Sequence, residues 1–125
     1  MSDASFRPVF YLKDKCPFCM KVRIFLLEAG LWDEVEIREV VPGTPEEQAI
    51  RAELEPKLEK VGFPAAQTEP GRYMTDSDGI IGHMAGVTGK DPAAMPVLRA
   101  YVDGPFQQIM TLYRENTELK KQLEA

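Results

Sequence analysis

The first regular pattern along the chain is a short apolar run, Val9-Phe10-Tyr11-Leu12, inside the segment Arg7 to Leu12. A near-continuous run of this length suits a strand with both faces covered. After Cys19 the apolar positions change to helical spacing, so Cys16 falls where a strand hands over to a helix. That helix should run from Pro17 to about Ala29, with Gly30 as its C-terminal cap. It carries two apolar stripes: Phe18, Val22, Phe25, Leu26 and Ala29 on one face, and Met20, Ile24 and Leu27 on the other. A helix apolar on both sides is covered on both sides. One stripe should lie on a sheet, and Met20, Ile24 and Leu27 should be buried by the segment after Asp91 or by a second subunit.

Glu34 to Val41 alternates at period two in its first half and reads as a second strand. With the intervening helix it forms a βαβ unit, hence parallel to the first strand. Thr44-Pro45-Glu46-Glu47 is a capping box with proline at the first helical position. Ile50, Leu54, Leu58 and Val61 continue that helical face, with a kink or restart at Pro56. Phe63-Pro64 precedes a weak strand, Ala65 to Glu69, then a Pro70-Gly71 turn and a partner strand, Arg72 to Thr75. Asp76-Ser77-Asp78 opens a helix from Gly79 to about Val87, whose three glycines lower its intrinsic stability. Asp91-Pro92 restarts a helix to about Val102, and Asp103-Gly104-Pro105 breaks it before a last helix to the C-terminus. Residues 1 to 6 read as a disordered lead-in.

In the last helix Ile109, Leu112, Asn116, Leu119 and Leu123 follow a 3-4 spacing, with Asn116 at an a-type position and Glu115 and Lys120 at flanking g and e positions. The pattern fits a parallel pair of helices, and so a homodimer. It equally fits a helix packed on its own domain, since two heptads make only a marginal coil.

At 125 residues, 44% hydrophobic and 28% charged, the chain has the makings of one ordinary globular domain. A net charge of −5 with no basic stripe argues against a nucleic-acid partner. No apolar run approaches a membrane span, and Met-Ser-Asp-Ala-Ser has no signal pattern, so the expected location is cytoplasmic and no membrane partner is expected.

Both cysteines lie in Lys15-Cys16-Pro17-Phe18-Cys19. Cys16 is at or near the N-cap, its sulfur aimed at unpaired N–H groups and the positive end of the helix dipole, with Lys13 and Lys15 close by. Such a site favours thiolate, the nucleophilic form. Cys19, one turn on, is placed to resolve a mixed disulfide at Cys16. A CxxC can also be half of a zinc site, but the chain has no third cysteine and only His83, so no metal is expected. His83 itself reads as a surface or core-edge residue.

Tyr11-Leu-Lys13-Asp-Lys-Cys16-Pro-Phe-Cys19 resembles the active-site segment of glutaredoxins, and the run to Leu31 is similar to the N-terminal domain of glutathione transferases. Phe63-Pro64 and Met74-Thr-Asp76-Ser77-Asp78-Gly-Ile80-Ile81 resemble the glutathione-binding half of the same families. The resemblance implies a thioredoxin-like α/β fold, βαβ then ββα around a four-stranded mixed sheet, over residues 1–90. Residues 91–125 would be a C-terminal helical extension of the same domain. It further implies a glutathione-dependent thiol–disulfide oxidoreductase with Cys16 as nucleophile and Cys19 as resolving thiol. Glutathione is then the cosubstrate, and disulfide-containing small molecules or proteins are the partners. By the same resemblance Pro64 is cis, the Phe63 backbone meets the cysteinyl part of glutathione, Lys13 pairs with the glycyl carboxylate, and Asp76 and Ser77 hold the γ-glutamyl end. Phe18, inside the CPFC, joins the glutathione-binding set. The alternatives are a glutathione transferase-like enzyme without the usual helical domain, a non-catalytic glutathione-binding adaptor, and an iron–sulfur scaffold held by Cys16 and glutathione.

Overall fold

Strand β1 (Val9–Lys13) is the hinge of the architecture, because each of its faces carries a separate apolar cluster. Side chains alternate across a strand. Phe10 and Leu12 therefore enter one core with Cys19, Val22, Phe25, Leu26, Ala66 and Ile80, while Tyr11 enters the other with Val40, Ile50, Leu54 and Ala65. The computed structural model describes residues 6–124. Apart from Phe6, the expected lead-in lies outside the described residues.

Helix α1 (Pro17–Glu28) follows β1, then a 3-10 turn at Trp32–Glu34, strand β2 (Glu36–Val40) and helix α2 (Pro45–Leu54). Strands β3 (Ala65–Glu69) and β4 (Arg72–Met74) lead into α3 (Ser77–Thr88). The sheet order is β2-β1-β3-β4. β1 and β2 run parallel with Val9 opposite Glu36, and the β1–β3 and β3–β4 pairs are antiparallel, with a register shift between Gln67 and Glu69. This is the expected thioredoxin-like arrangement, βαβ then ββα, with a C-terminal helical extension.

Two helices differ from expectation, both because of proline. The face expected to continue through Pro56 to Val61 stops at Leu54. Pro56 has no N–H for the Ala52 carbonyl, so the ladder ends in a turn, although Leu58 and Val61 still pack on the Tyr11 side. Instead of one helix from Asp91 to Val102, a 3-10 turn at Pro92–Ala94 precedes α4 (Pro96–Asp103). A helix running through from Pro92 would lack a donor at Pro96 for the Pro92 carbonyl. Pro96 sits at the first position of its own helix, where the donor is not needed.

α5 (Pro105–Glu124) follows, and Phe106 is its one buried residue. The C-terminal segment does pack on α1, but not on the expected stripe. Met20 is 44% exposed and Leu27 58% exposed, and only Ile24 of that stripe is partly covered. The covered surface runs along Lys21, Ile24 and Glu28. The Glu28 carboxylate accepts the Val97 and Leu98 amides at 2.9 and 2.8 Å, capping α4 where Met95 offers no side-chain cap. The Tyr101 hydroxyl donates to the Pro17 carbonyl at 2.8 Å. Lys21, only 5% exposed, reaches Asp78 at 2.8 Å and lies 4.7 Å from the centre of the Phe106 ring. A stripe carrying two charges is invisible to a search for apolar spacing, yet fixed partners satisfy both charges.

Candidate functional site

The left-handed backbone of Lys15 (φ 61°) turns the chain from β1 into α1 and presents Cys16 as the helix N-cap. Proline at the first helical position leaves no amide there, and the Cys16 sulfur accepts the Cys19 amide at 3.4 Å. Cys16 is half-buried, and its thiol is lowered to about 6. The largest cause is a hydrogen bond from the Cys19 thiol. Burial opposes it, and the amides of Cys19 and Phe18 and the charge of Lys13 reinforce it. Cys19 has no exposed surface. Its sulfur accepts the Lys13 amide at 3.2 Å, and the bond to Cys16, followed by burial, pushes its thiol far up. The two sulfurs form one donor–acceptor pair with all the nucleophilic character on the accessible member.

Cys16 stands on the shared edge of two open grooves. The larger, about 550 Å³, is lined by Lys13, Cys16, Pro42, Arg51, Phe63 and Tyr113 among others. The Phe63 carbonyl is 4.0 Å from the Cys16 sulfur, and the Phe63–Pro64 peptide is cis. Arg51 lies 5.0 Å above the Phe63 ring and binds Glu47 at 3.0 Å; the Lys13 ammonium is 3.9 Å from the same carboxylate. The Gly43 amide, then Arg51, hold Glu47 below the usual carboxylate range. This wall therefore carries two cations sharing one anion. The smaller groove, about 320 Å³, includes Met20, Arg23, Tyr101 and Ile109 in its wall.

The structure thus brings Cys16, Cys19, Lys13, Phe63 and Pro64 together. Asp76 and Ser77 stand at the start of α3, which packs on α1, but they line neither groove. Asp76 is the N-cap and accepts the Gly79 amide at 3.0 Å, and Ser77 is buried. Phe18 turns its ring edge-to-face onto Phe106, centroids 5.3 Å apart, and reaches the site through its amide alone. His83 lies beside Glu69, its Nε2 3.3 Å from the carboxylate. Among the described residues no group of three or more His, Cys, Asp or Glu is placed to hold a metal ion. Among the described residues no helix is long and apolar enough to cross a membrane.

Arg51, Tyr101, Ile109 and Tyr113 were not anticipated at the site. Arg51 could have been found from its helical spacing to Glu47. The other three arrive from a segment whose docking has no local signature.

The family model for the glutathione S-transferase N-terminal domain matches residues 10–86. The chain is similar to the solved structure of a glutathione transferase homolog from Drosophila mojavensis with bound glutathione, at TM-score 0.55 and 22% identity, covering 69% of this chain and 37% of that one. It is also similar to glutathione transferase Omega 3C from Trametes versicolor, at TM-score 0.53 and 25% identity over 80% of this chain and 43% of that one. A glutathione S-transferase from the Antarctic clam Laternula elliptica gives TM-score 0.52 and 18% identity over 68% and 36%. The chain therefore spans under half the length of these structures. A search of curated proteins finds no match.

Proposed function

Because the chain belongs to the glutathione S-transferase N-terminal domain family over residues 10–86, we propose that it is a glutathione-dependent thiol–disulfide oxidoreductase. One observation carries this reading: a half-buried thiol lowered to about 6 at a helix end, with a second thiol buried behind it as hydrogen-bond donor. At neutral pH Cys16 is mostly thiolate, whereas Cys19 is reachable only through Cys16.

The Cys16 thiolate attacks the glutathionyl sulfur of a mixed disulfide. The S–S bond breaks, the other sulfur leaves as thiolate and takes a proton from water, and Cys16 becomes a mixed disulfide with glutathione. A second glutathione thiolate then attacks that glutathionyl sulfur, releasing oxidised glutathione and restoring the Cys16 thiolate. With a protein disulfide, Cys19 loses its proton and attacks Cys16 instead, and two glutathiones reduce the resulting Cys16–Cys19 disulfide. The first route consumes one glutathione thiol and exchanges the mixed disulfide for oxidised glutathione, whereas in the second two electrons pass from two glutathione thiols to the protein disulfide.

Glutathione would lie in the larger groove with its cysteinyl part along the Phe63 backbone beside Pro64, and its glycyl carboxylate toward Lys13 and Arg51. Its γ-glutamyl end would reach Asp76 and Ser77, where a helix start offers unpaired amides to a carboxylate. The test is glutathione-coupled reduction of a hydroxyethyl–glutathione mixed disulfide. Cys16→Ser should fall to background, and Cys19→Ser should keep this activity while losing reduction of protein disulfides. Full activity in Cys16→Ser would end the proposal. Asp76→Asn, which keeps a good N-cap, should raise the KM for glutathione about tenfold with kcat little changed.

A second reading is favoured by the smaller groove. Met20, Tyr101 and Ile109 form an apolar wall beside Cys16, against which an electrophile would lie. Conjugation of glutathione to an aryl halide, measured without any disulfide, separates this transferase reading from the first.

A further inference from the structure

α5 presents two different faces. Phe106 is buried, Met110 is partly covered, and Tyr113 borders the larger groove, so this side faces the body of the protein. About a quarter turn around the helix, Ile109, Leu112, Leu119 and Leu123 are exposed, with Asn116, also exposed, in the middle of the row. Their 3-4 spacing is that of a coiled-coil seam and spans about 21 Å of helix. Exposed Glu115 and Lys120 flank it on opposite sides, and Arg114 and Lys121 point to its far side.

We propose that this face is the seam of a parallel two-stranded coiled coil with a second copy of the chain. Charge complementarity selects that occupant and that orientation. In a parallel pair the g position of one helix meets the following e position of the other, so Glu115 faces Lys120 twice, once on each side of the two-fold axis. An antiparallel pair would set Glu115 near Glu115 and Lys120 near Lys120. Asn116 at the a position then meets its own copy, the pairing that fixes register and favours two strands. Because the seam lies to the side of the body-facing surface, the two globular parts fall on opposite flanks of the coil. Two heptads bind weakly, so the dimer is reversible and its population follows concentration.

Sedimentation equilibrium of the full chain at about tens of micromolar, the range expected for a weak interface, tests the assignment. The variants alter only exposed side chains, and circular dichroism confirms that each is folded. Wild type should dimerise, and Leu119→Glu should raise the dissociation constant about a hundredfold by removing two leucines from the seam. Glu115→Lys should weaken pairing by about fivefold at low salt, and the double variant Glu115→Lys/Lys120→Glu should recover it. Asn116→Leu should tighten association and admit higher oligomers. A wild-type monomer, a dimer indifferent to Leu119→Glu, or a double charge swap that fails to recover would each overturn the proposal. The thiol chemistry is measured separately and does not depend on these outcomes.

Discussion

At α1 the N-cap sulfur of Cys16 takes the Cys19 amide at 3.4 Å, and at α3 the N-cap carboxylate of Asp76 takes the Gly79 amide at 3.0 Å. Both helix starts collect unpaired amides and the positive end of a dipole. At α3 the atom placed there belongs to a carboxylate, and the arrangement serves as a cap. At α1 the same arrangement acts on a group whose charge is in question, and it adds to the larger effect of the Cys19 thiol in lowering Cys16 to about 6. The two starts thus differ in the ordinary pKa of the atom placed there and in the second thiol that stands behind it at α1. The two starts are also joined physically, since Lys21 of α1 binds Asp78 in the first turn of α3.

Cys16→Asp makes the α1 start resemble the α3 start and should have the largest effect. Aspartate is a preferred N-cap, so stability should stay within about 1 kcal/mol. Mixed-disulfide reduction should fall by about a thousandfold or more, since the nucleophile is gone. Chemical denaturation and the coupled assay read the two effects independently.

Cys19→Ala removes the largest cause of the lowered Cys16 thiol. In wild type the thiolate fraction rises with pH through about 6. Alkylation should therefore be flat above neutrality and drop tenfold for each pH unit well below that value. In the variant the falling limb should move up by about one unit or more, toward the free-cysteine range. An unmoved profile would mean that the amides and Lys13 alone set the thiolate.

The bridge between the two helices is lopsided, with Lys21 buried and Asp78 81% exposed as a side chain. Asp78→Asn leaves a buried cation without its anion and should cost about 1–2 kcal/mol, less than a fully buried pair because water still reaches the partner. Lys21→Met removes the charge and keeps the bulk, and should change stability by under about 1 kcal/mol. Thermal unfolding of both variants checks the asymmetry.

The smallest effect concerns the approach to α1. Lys15 holds a left-handed conformation that costs a non-glycine residue about 1–2 kcal/mol. Lys15→Gly should raise stability by about 1 kcal/mol, seen as a higher denaturant midpoint with unchanged slope.

The order of strands and helices was legible because β1, α1 and the capping box of α2 are local patterns. The dithiol was legible because its chemistry is carried by adjacent residues, and the cis Phe63–Pro64 peptide followed from the family resemblance. What escaped were the contacts made by charged groups in covered places. Lys21 and Glu28 broke the apolar stripe that the C-terminal segment covers, so the expectation settled on Met20 and Leu27, which face outward. Pro56 was read as a kink or restart, whereas Pro96, which starts α4, lay unread within the helix expected from Asp91 to Val102. Tyr101, Ile109 and Tyr113 reach the grooves through tertiary docking, which no spacing within one segment encodes.

The segment that carries α4 is fastened to α1 at both ends, at Glu28 by two amides and at Pro17 by Tyr101, across 69, 70 and 84 residues of chain. These bonds close long loops and lie outside the sheet, so breaking them leaves the paired strands in place. Amide exchange should show α4 opening before α1. Each such opening releases the carbonyl beside Cys16 and uncovers one side of the dithiol helix while the sheet stays intact. Partial opening of the tail therefore frees the Pro17 end of the dithiol helix well before the protein as a whole unfolds.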